Sequence, residues 1–247
     1  MARKVSKRGP GRFSQANANT NVIEYPTQKP RSRPQVKLLP RNVAQEDYLY
    51  ALANPDNSIV FAIGPAGTGK TMLATQWAIK GLISGEFKKI VISRPNTAVD
   101  DQDIGFLPGG IMEKMMPWVL PILDVFKEYY TLDEIEMMIK SEIIEICPIA
   151  YIRGRTFKNA VVLIDEAQNT TENSMLSILT RIGENSKMVI TGDIAQSDRG
   201  SKNGLQDFLQ KVNGKSLKYI EVVQFAKGDV ERHEAVKEIL DIYGKKD

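Results

Sequence analysis

The sequence predicts an α/β fold in which a mostly parallel sheet is sandwiched by helices, and three observations carry that expectation. Short apolar runs suited to buried strands, at 59–63, 90–93, 143–146, 161–164, 188–191 and 217–223, alternate with segments of helical period at 46–53, 71–84, 112–130, 132–141, 172–180, 205–211 and 233–243. The first run leads directly into Gly64-Pro65-Ala66-Gly67-Thr68-Gly69-Lys70-Thr71, which has the form G-x-x-x-x-G-K-[ST] of a phosphate-binding loop. The fourth, Val161-Val162-Leu163-Ile164, delivers Asp165 and Glu166 to a strand end. In such sheets ligands sit beyond the carboxyl ends of the strands.

Each part of the loop has a physical reason. Gly64, Gly67 and Gly69 allow backbone angles closed to side chains, so successive N–H groups can curl around phosphate oxygens. Lys70 supplies a point charge for the β- and γ-phosphates, and the Thr71 hydroxyl can ligate Mg²⁺. The run from Met72 to Ile79 holds no Gly or Pro and reads as a helix, so the loop lies at a helix N-terminus whose dipole favours anions. The whole stretch, Pro65, Ala66 and Thr68 included, is therefore assigned to binding ATP with Mg²⁺.

Two adjacent carboxylates after four apolar residues are costly to bury without a cation or another partner. Asp165 is assigned to the Mg²⁺ shell and Glu166 to the general base that activates water. The loop and this pair are expected on neighbouring strands. The run Met188-Val189-Ile190-Thr191 ends in Gly192-Asp193-Ile194-Ala195-Gln196, where Asp193 can sense the γ-phosphate and Gln196 can orient water.

Composition sets the outer limits. Residues 1–41 hold ten Lys or Arg against the single acid Glu24, a net +9 in a chain whose total is +3, so residues 42–247 carry −6. This basic stretch is rich in Pro, Asn, Gln, Ser and Thr and lacks apolar periodicity, so it is expected to be a disordered tail ahead of one domain at 42–247. Such an arm can neutralise nucleic-acid phosphates; a solvated tail or one that engages an acidic partner is the other reading. No run reaches the roughly 18 apolar residues of a membrane span, and the N-terminus lacks the apolar core of a secretory signal, so a cytoplasmic protein is expected. One cysteine, Cys147, and one histidine, His233, cannot make an intramolecular disulfide or a Cys/His metal cluster. Cys147 lies in an apolar run and is expected to be buried.

Further blocks follow in order: Ser93-Arg94-Pro95, Gly105-Phe106-Leu107-Pro108-Gly109, Ala150-Tyr151-Ile152-Arg153-Gly154-Arg155-Thr156, Asp165-Glu166-Ala167-Gln168-Asn169-Thr170-Thr171, Thr180-Arg181-Ile182-Gly183 and Arg232-His233. With the phosphate loop and Thr191-Gly192-Asp193 with Gln196, they resemble the PhoH family, ATPases related to superfamily one helicases, over approximately residues 41–243. The resemblance implies a RecA-like P-loop NTPase core, ATP hydrolysis, and a single-stranded nucleic acid as the partner, RNA ahead of DNA, with the choice between them left open. Nothing resembles the separate nuclease or RNA-binding domain of some relatives, so no nuclease activity is expected.

Helicase-like motors hydrolyse ATP between two lobes, the second giving an arginine to the transition state. The 206 residues after the tail suffice for one lobe. A neighbouring copy is therefore expected to complete the site in a head-to-tail homo-oligomer, a hexameric ring. Arg232 leads as the arginine donated to that neighbour, with Arg94, Arg153 and Arg155 as alternates. Lys70, Glu166, Gln196 and Arg232 are thus the expected catalytic set. Gln45, nineteen residues before Gly64, either reads adenine or simply opens a helix. Phe106 either stacks on a base or anchors its loop, and His233 is read as a contact at the start of the last helix. Two other functions stay open: a nucleotide-gated binding or assembly protein without a motor, and a small-molecule kinase on the same loop.

Overall fold

Six apolar runs pair into one sheet in the computed structural model, which describes residues 35–95, 111–199 and 203–242. The strands are β1 (Ile59–Ile63), β2 (Lys89–Ser93), β3 (Ile144–Ile146), β4 (Ala160–Ile164), β5 (Lys187–Gly192) and β6 (Ile220–Gln224). They lie in the order β3-β2-β4-β5-β1-β6 and every pairing is parallel. The helices among the described residues are α1 (Val43–Ala53), α2 (Lys70–Ser84), α3 (Ile111–Lys127), α4 (Leu132–Lys140), α5 (Glu172–Leu179), α6 (Gly204–Val212) and α7 (Glu234–Ile242).

Strand side chains alternate between faces, and here both faces are covered. Val60, Ala62, Ile90, Ile92, Val161 and Leu163 share one core with α1, α2, α3 and α4. Ile59, Phe61, Ile63, Val91, Val162 and Ile164 share the other with Met175 and Ile178 of α5 and Leu205 of α6. β1, β4 and β5 are consequently buried at every position, which explains why β1 and β4 read as unbroken apolar runs and β5 as one from Met188 to Ile190.

Side chains close the starts of four helices. Asn42, Thr131, Thr171 and Asn203 accept hydrogen bonds from the N–H groups of Gln45, Glu134, Ser174 and Gln206 at 2.9, 3.3, 3.1 and 2.7 Å, caps of about 1 kcal/mol each. The start of α2 has no side-chain cap. The helix behind the phosphate loop thus keeps its N-terminal donors for an anion.

Three expectations about the fold change. β5 lies between β1 and β4, so the loop and the carboxylate pair are not on neighbouring strands. β6 begins at Ile220, not at residue 217, because it pairs with β1 from Ile59 onward and has no partner strand upstream. Packing also starts before residue 42: Val36 and Leu38 rest against the first core, and the Arg41 N–H donates to Gln45 Oε1 at 2.8 Å. Among the described residues no helix is long and apolar enough to cross a membrane. Cys147 is buried, and burial pushes its thiol up despite the nearby Arg155.

Candidate active site

The phosphate loop runs from the end of β1 into α2 and is held to the sheet at its first residue. The Gly64 N–H donates to the Gly192 carbonyl at 3.1 Å, while the Phe225 N–H donates to Ile63 at 2.7 Å. That close approach explains the glycine. At φ +150°, a Cβ on residue 64 would lie 2.3 Å from the Phe225 oxygen. Lys70 folds back over the loop, its Nζ donating to the Gly64 and Pro65 carbonyls at 2.8 and 2.5 Å and to Thr68 Oγ1 at 3.0 Å. Burial lowers its pKa, opposed by the charges of Asp193, Asp165 and Glu166.

The outward carbonyls of the loop are gripped from two sides. Arg232 Nη2 donates to the Ala66 carbonyl at 3.0 Å, the Glu231 N–H to the Gly67 carbonyl at 2.9 Å, and Gln45 Nε2 to the Thr68 carbonyl at 3.1 Å. The two arms of this collar are joined, because Asn42 Nδ2 donates to the Asp229 carbonyl at 3.2 Å. Holding successive carbonyls outward turns the loop's N–H groups inward, toward the space an anion fills.

This collar bears on two sequence expectations. Gln45 is 1% exposed, and its amide is bonded to Arg41 and Thr68, so it braces the loop and does not line the cleft as a base reader would. Arg232 reaches the loop of its own chain, so in this arrangement it is not presented to a neighbour's site.

The acid pair lies across the cleft. Asp165 Oδ1 accepts hydrogen bonds from Thr71 Oγ1 at 2.8 Å and Thr191 Oγ1 at 2.5 Å. Glu166 sits at φ +54°, a left-handed conformation costing a non-glycine residue about 1–3 kcal/mol, and its carboxylate accepts from Gln168 Nε2 at 2.5 Å. Arg94 lies 3.7 Å from Asp165 and 3.3 Å from Glu166, and its Nη1 donates to the Trp118 carbonyl at 3.1 Å. Two adjacent carboxylates therefore share one guanidinium.

A cleft of about 390 Å³ joins these groups, lined by Ala66, Gly67, Gly69, Lys70, Thr71, Arg94, Asp165, Glu166, Asp193 and Gln196 among others. Larger grooves of about 570 and 690 Å³ flank the β6 edge, but they hold neither the phosphate loop nor the acid pair. The structure thus gathers Lys70, Thr71, Asp165, Glu166, Asp193 and Gln196 around one space. One Asp193 oxygen accepts the Ala195 N–H at 3.0 Å. Of the alternate arginines, Arg155 is ion-paired with Glu145 and Arg153 is exposed. His233 Nδ1 accepts the Ala235 N–H at 3.2 Å, the helix-start contact expected. Phe106 lies outside the described residues.

Sequence reasoning gave no role to Thr191 or Gln168. Thr191 follows directly from register: Ile164 stands opposite Ile190, so the next residues, Asp165 and Thr191, meet. Gln168 Oε1 accepts the Asp193 N–H at 3.1 Å while its nitrogen holds Glu166, a bridge that only the strand order reveals.

A family model described as PhoH-like protein matches residues 37–244. The PhoH-like protein of Bacillus subtilis (strain 168) is 41% identical over 210 residues, covering 83% of this chain and 63% of the relative. The PhoH-like protein of Mycobacterium tuberculosis (strain ATCC 25618 / H37Rv) is 37% identical over 232 residues, covering 92% and 64%. Protein PhoH of Escherichia coli (strain K12) is 39% identical over 216 residues, covering 86% and 60%. The chain spans 60–64% of the length of these curated relatives. Among solved structures, the large terminase from a thermophilic bacteriophage aligns with 79% of this chain and 49% of its own, at 13% identity and a TM-score of 0.46. With a family model spanning nearly all of the domain, and with phosphate loop, acid pair and Gly-Asp-x-x-Gln element converging on one cleft, the chain belongs to the PhoH-like protein family.

Proposed function

We propose that this chain is an ATPase stimulated by single-stranded nucleic acid, RNA in preference to DNA, and that it works as a head-to-tail ring. The observation that carries the ATPase reading is the single cleft lined by Lys70, Thr71, Asp165, Glu166 and Asp193. Loop N–H groups and Lys70 bind and orient the phosphates, Lys70 exchanging its loop-carbonyl bonds for the β- and γ-oxygens. Glu166 accepts the proton of the attacking water, and Gln196 and Asp193 orient that water beside the γ-phosphate. Thr71 and Asp165 offer hard oxygen donors 2.8 Å apart, a set suited to Mg²⁺. When bound there, Mg²⁺ supplies charge neutralisation of the phosphate oxygens.

The partner and the ring rest on other support. The net +9 of residues 1–41 favours a polyanion, and the described residues form one sheet whose strand ends leave the cleft to be enclosed by a neighbouring copy. The test is phosphate release from ATP with and without single-stranded RNA or DNA, alongside light scattering with an ATP analogue. Stimulation by RNA supports the reading; no turnover would indicate a nucleotide-gated binder, and a monomer with normal turnover would remove the ring. Lys70→Ala is expected to abolish turnover, and Glu166→Gln to abolish it while retaining ATP binding. Normal turnover in Glu166→Gln would mean that the base lies elsewhere.

A further inference from the structure

We propose that a cleft at the carboxyl end of edge strand β3 seats one base of the single-stranded nucleic acid, with the Tyr151 ring as its stacking surface. This rests on the reading above, in which a single strand stimulates hydrolysis, and it names where the strand is held.

The cleft has a volume of about 290 Å³, and its apolar walls come from Met115, Ile146 and Pro148. Tyr151 lines it and is 55% exposed. The ring is presented by a local device: it ends a short 3-10 turn, Ile149–Tyr151, and the next residue, Ile152, is wholly buried. Ile152 pins the turn to the core, so its neighbours Tyr151 and Arg153 stay exposed.

Charge matches a polyanion. Among the described residues Glu145 is the one carboxylate lining the cleft, and it is answered by two cations, Lys89 at 2.8 Å and Arg155. Burial would raise the Glu145 pKa, but these two partners hold it below the usual carboxylate value. Arg153, exposed two residues after Tyr151 in the sequence, adds a further positive charge to this segment. Apolar walls, an exposed aromatic face and surplus positive charge are what an unpaired base and its phosphate require, without demanding a particular sequence.

Position supplies the link to hydrolysis. β3 pairs with β2, and the residue after β2, Arg94, contacts both Asp165 and Glu166. The base cleft therefore lies one strand away from the element that holds the acid pair, at the same end of the sheet.

The test uses the full chain, fluorescein-labelled oligouridylate and oligothymidylate, and phosphate release as the strand is titrated. Tyr151→Ala is expected to raise the half-maximal stimulating concentration roughly five- to hundredfold, the range for loss of one stacked base. Basal turnover without nucleic acid should be unchanged, and Tyr151→Trp should stimulate like the parent. Arg153→Ala should reduce the salt dependence of binding by about one phosphate contact. Stimulation of Tyr151→Ala at the parent's concentrations would overturn the cleft while leaving the ATPase reading intact. A parent protein neither binding nor stimulated by either strand would overturn the cleft together with the nucleic-acid stimulation on which it rests.

Discussion

Replacing Arg232 by alanine separates a loop brace within one chain from an arginine donated to a neighbour. The structure puts Arg232 Nη2 3.0 Å from the Ala66 carbonyl, one of three loop carbonyls held from outside; the other two grips, from Gln45 and the Glu231 N–H, survive the substitution. A hydrogen bond from a charged donor contributes about 1.5–3 kcal/mol. Ala66 is only partly buried, so water replaces much of that loss and about 1 kcal/mol remains. At 1.4 kcal/mol per factor of ten, this weakens nucleotide binding roughly fivefold. Steady-state phosphate release should show KM raised by about that factor with kcat nearly unchanged, and Arg232→Lys should recover part of the loss. An arginine acting in the transition state predicts instead a fall in kcat of about 10³–10⁵. A thousandfold drop in kcat with intact binding of a fluorescent ATP analogue would refute the brace and restore the arginine to a neighbour's site.

Two further outcomes test the frame. Gly64→Ala would set a Cβ 2.3 Å from the Phe225 oxygen and 2.7 Å from its Cβ, with the Phe225 backbone locked to Ile63; urea denaturation should show a loss of about 2 kcal/mol or more, with nucleotide affinity lost as well. Lys187 is 6% exposed, donates to the Leu52 and Asn54 carbonyls at 2.6 Å each, and burial pushes its pKa down from 10.5 to about 8. Between those values the unfolded chain binds more protons, so this group makes stability rise with pH through that window, by an amount on the order of 1–3 kcal/mol. Below pH 8 the group is protonated in both states and adds no pH slope. Urea midpoints at pH 7.5 and 10 should show this gain in the parent and its absence in Lys187→Met; equal pH profiles would remove Lys187 as its source.

Sequence revealed whatever was local. The phosphate loop, the strand-end acid pair and the Asp193-to-Gln196 element each lie within eight consecutive residues, so spacing alone singled out residues that line one cleft. Gln45 and Arg232 act on the loop from 23 and 166 residues away, and no periodicity carries such a contact. The same holds at the domain's start. Val36 and Leu38 belong to a four-residue stretch, Val36-Lys37-Leu38-Leu39, set in a basic, proline-containing segment, too short to signal the core they join. Strand order was equally hidden, because buried parallel strands present the same apolar face to any neighbour.

That hidden order decides how the site is wired. With β5 inserted between the loop strand and the acid strand, Thr191 meets Asp165, and the turn carrying Asp193 and Gln196 lines the cleft together with Lys70 and Glu166. A γ-phosphate drawing on Asp193 would then act on the base through Gln168, whose amide bonds the Asp193 N–H at one end and the Glu166 carboxylate at the other. The bridge needs close backbone approach. A Cβ on residue 192 would lie 2.9 Å from Gln168 Oε1, so the glycine before Asp193 is what lets the amide reach both partners. Neighbouring loop and acid strands would leave no turn between them, and Glu166, the proposed base, would have no such bridge to Asp193.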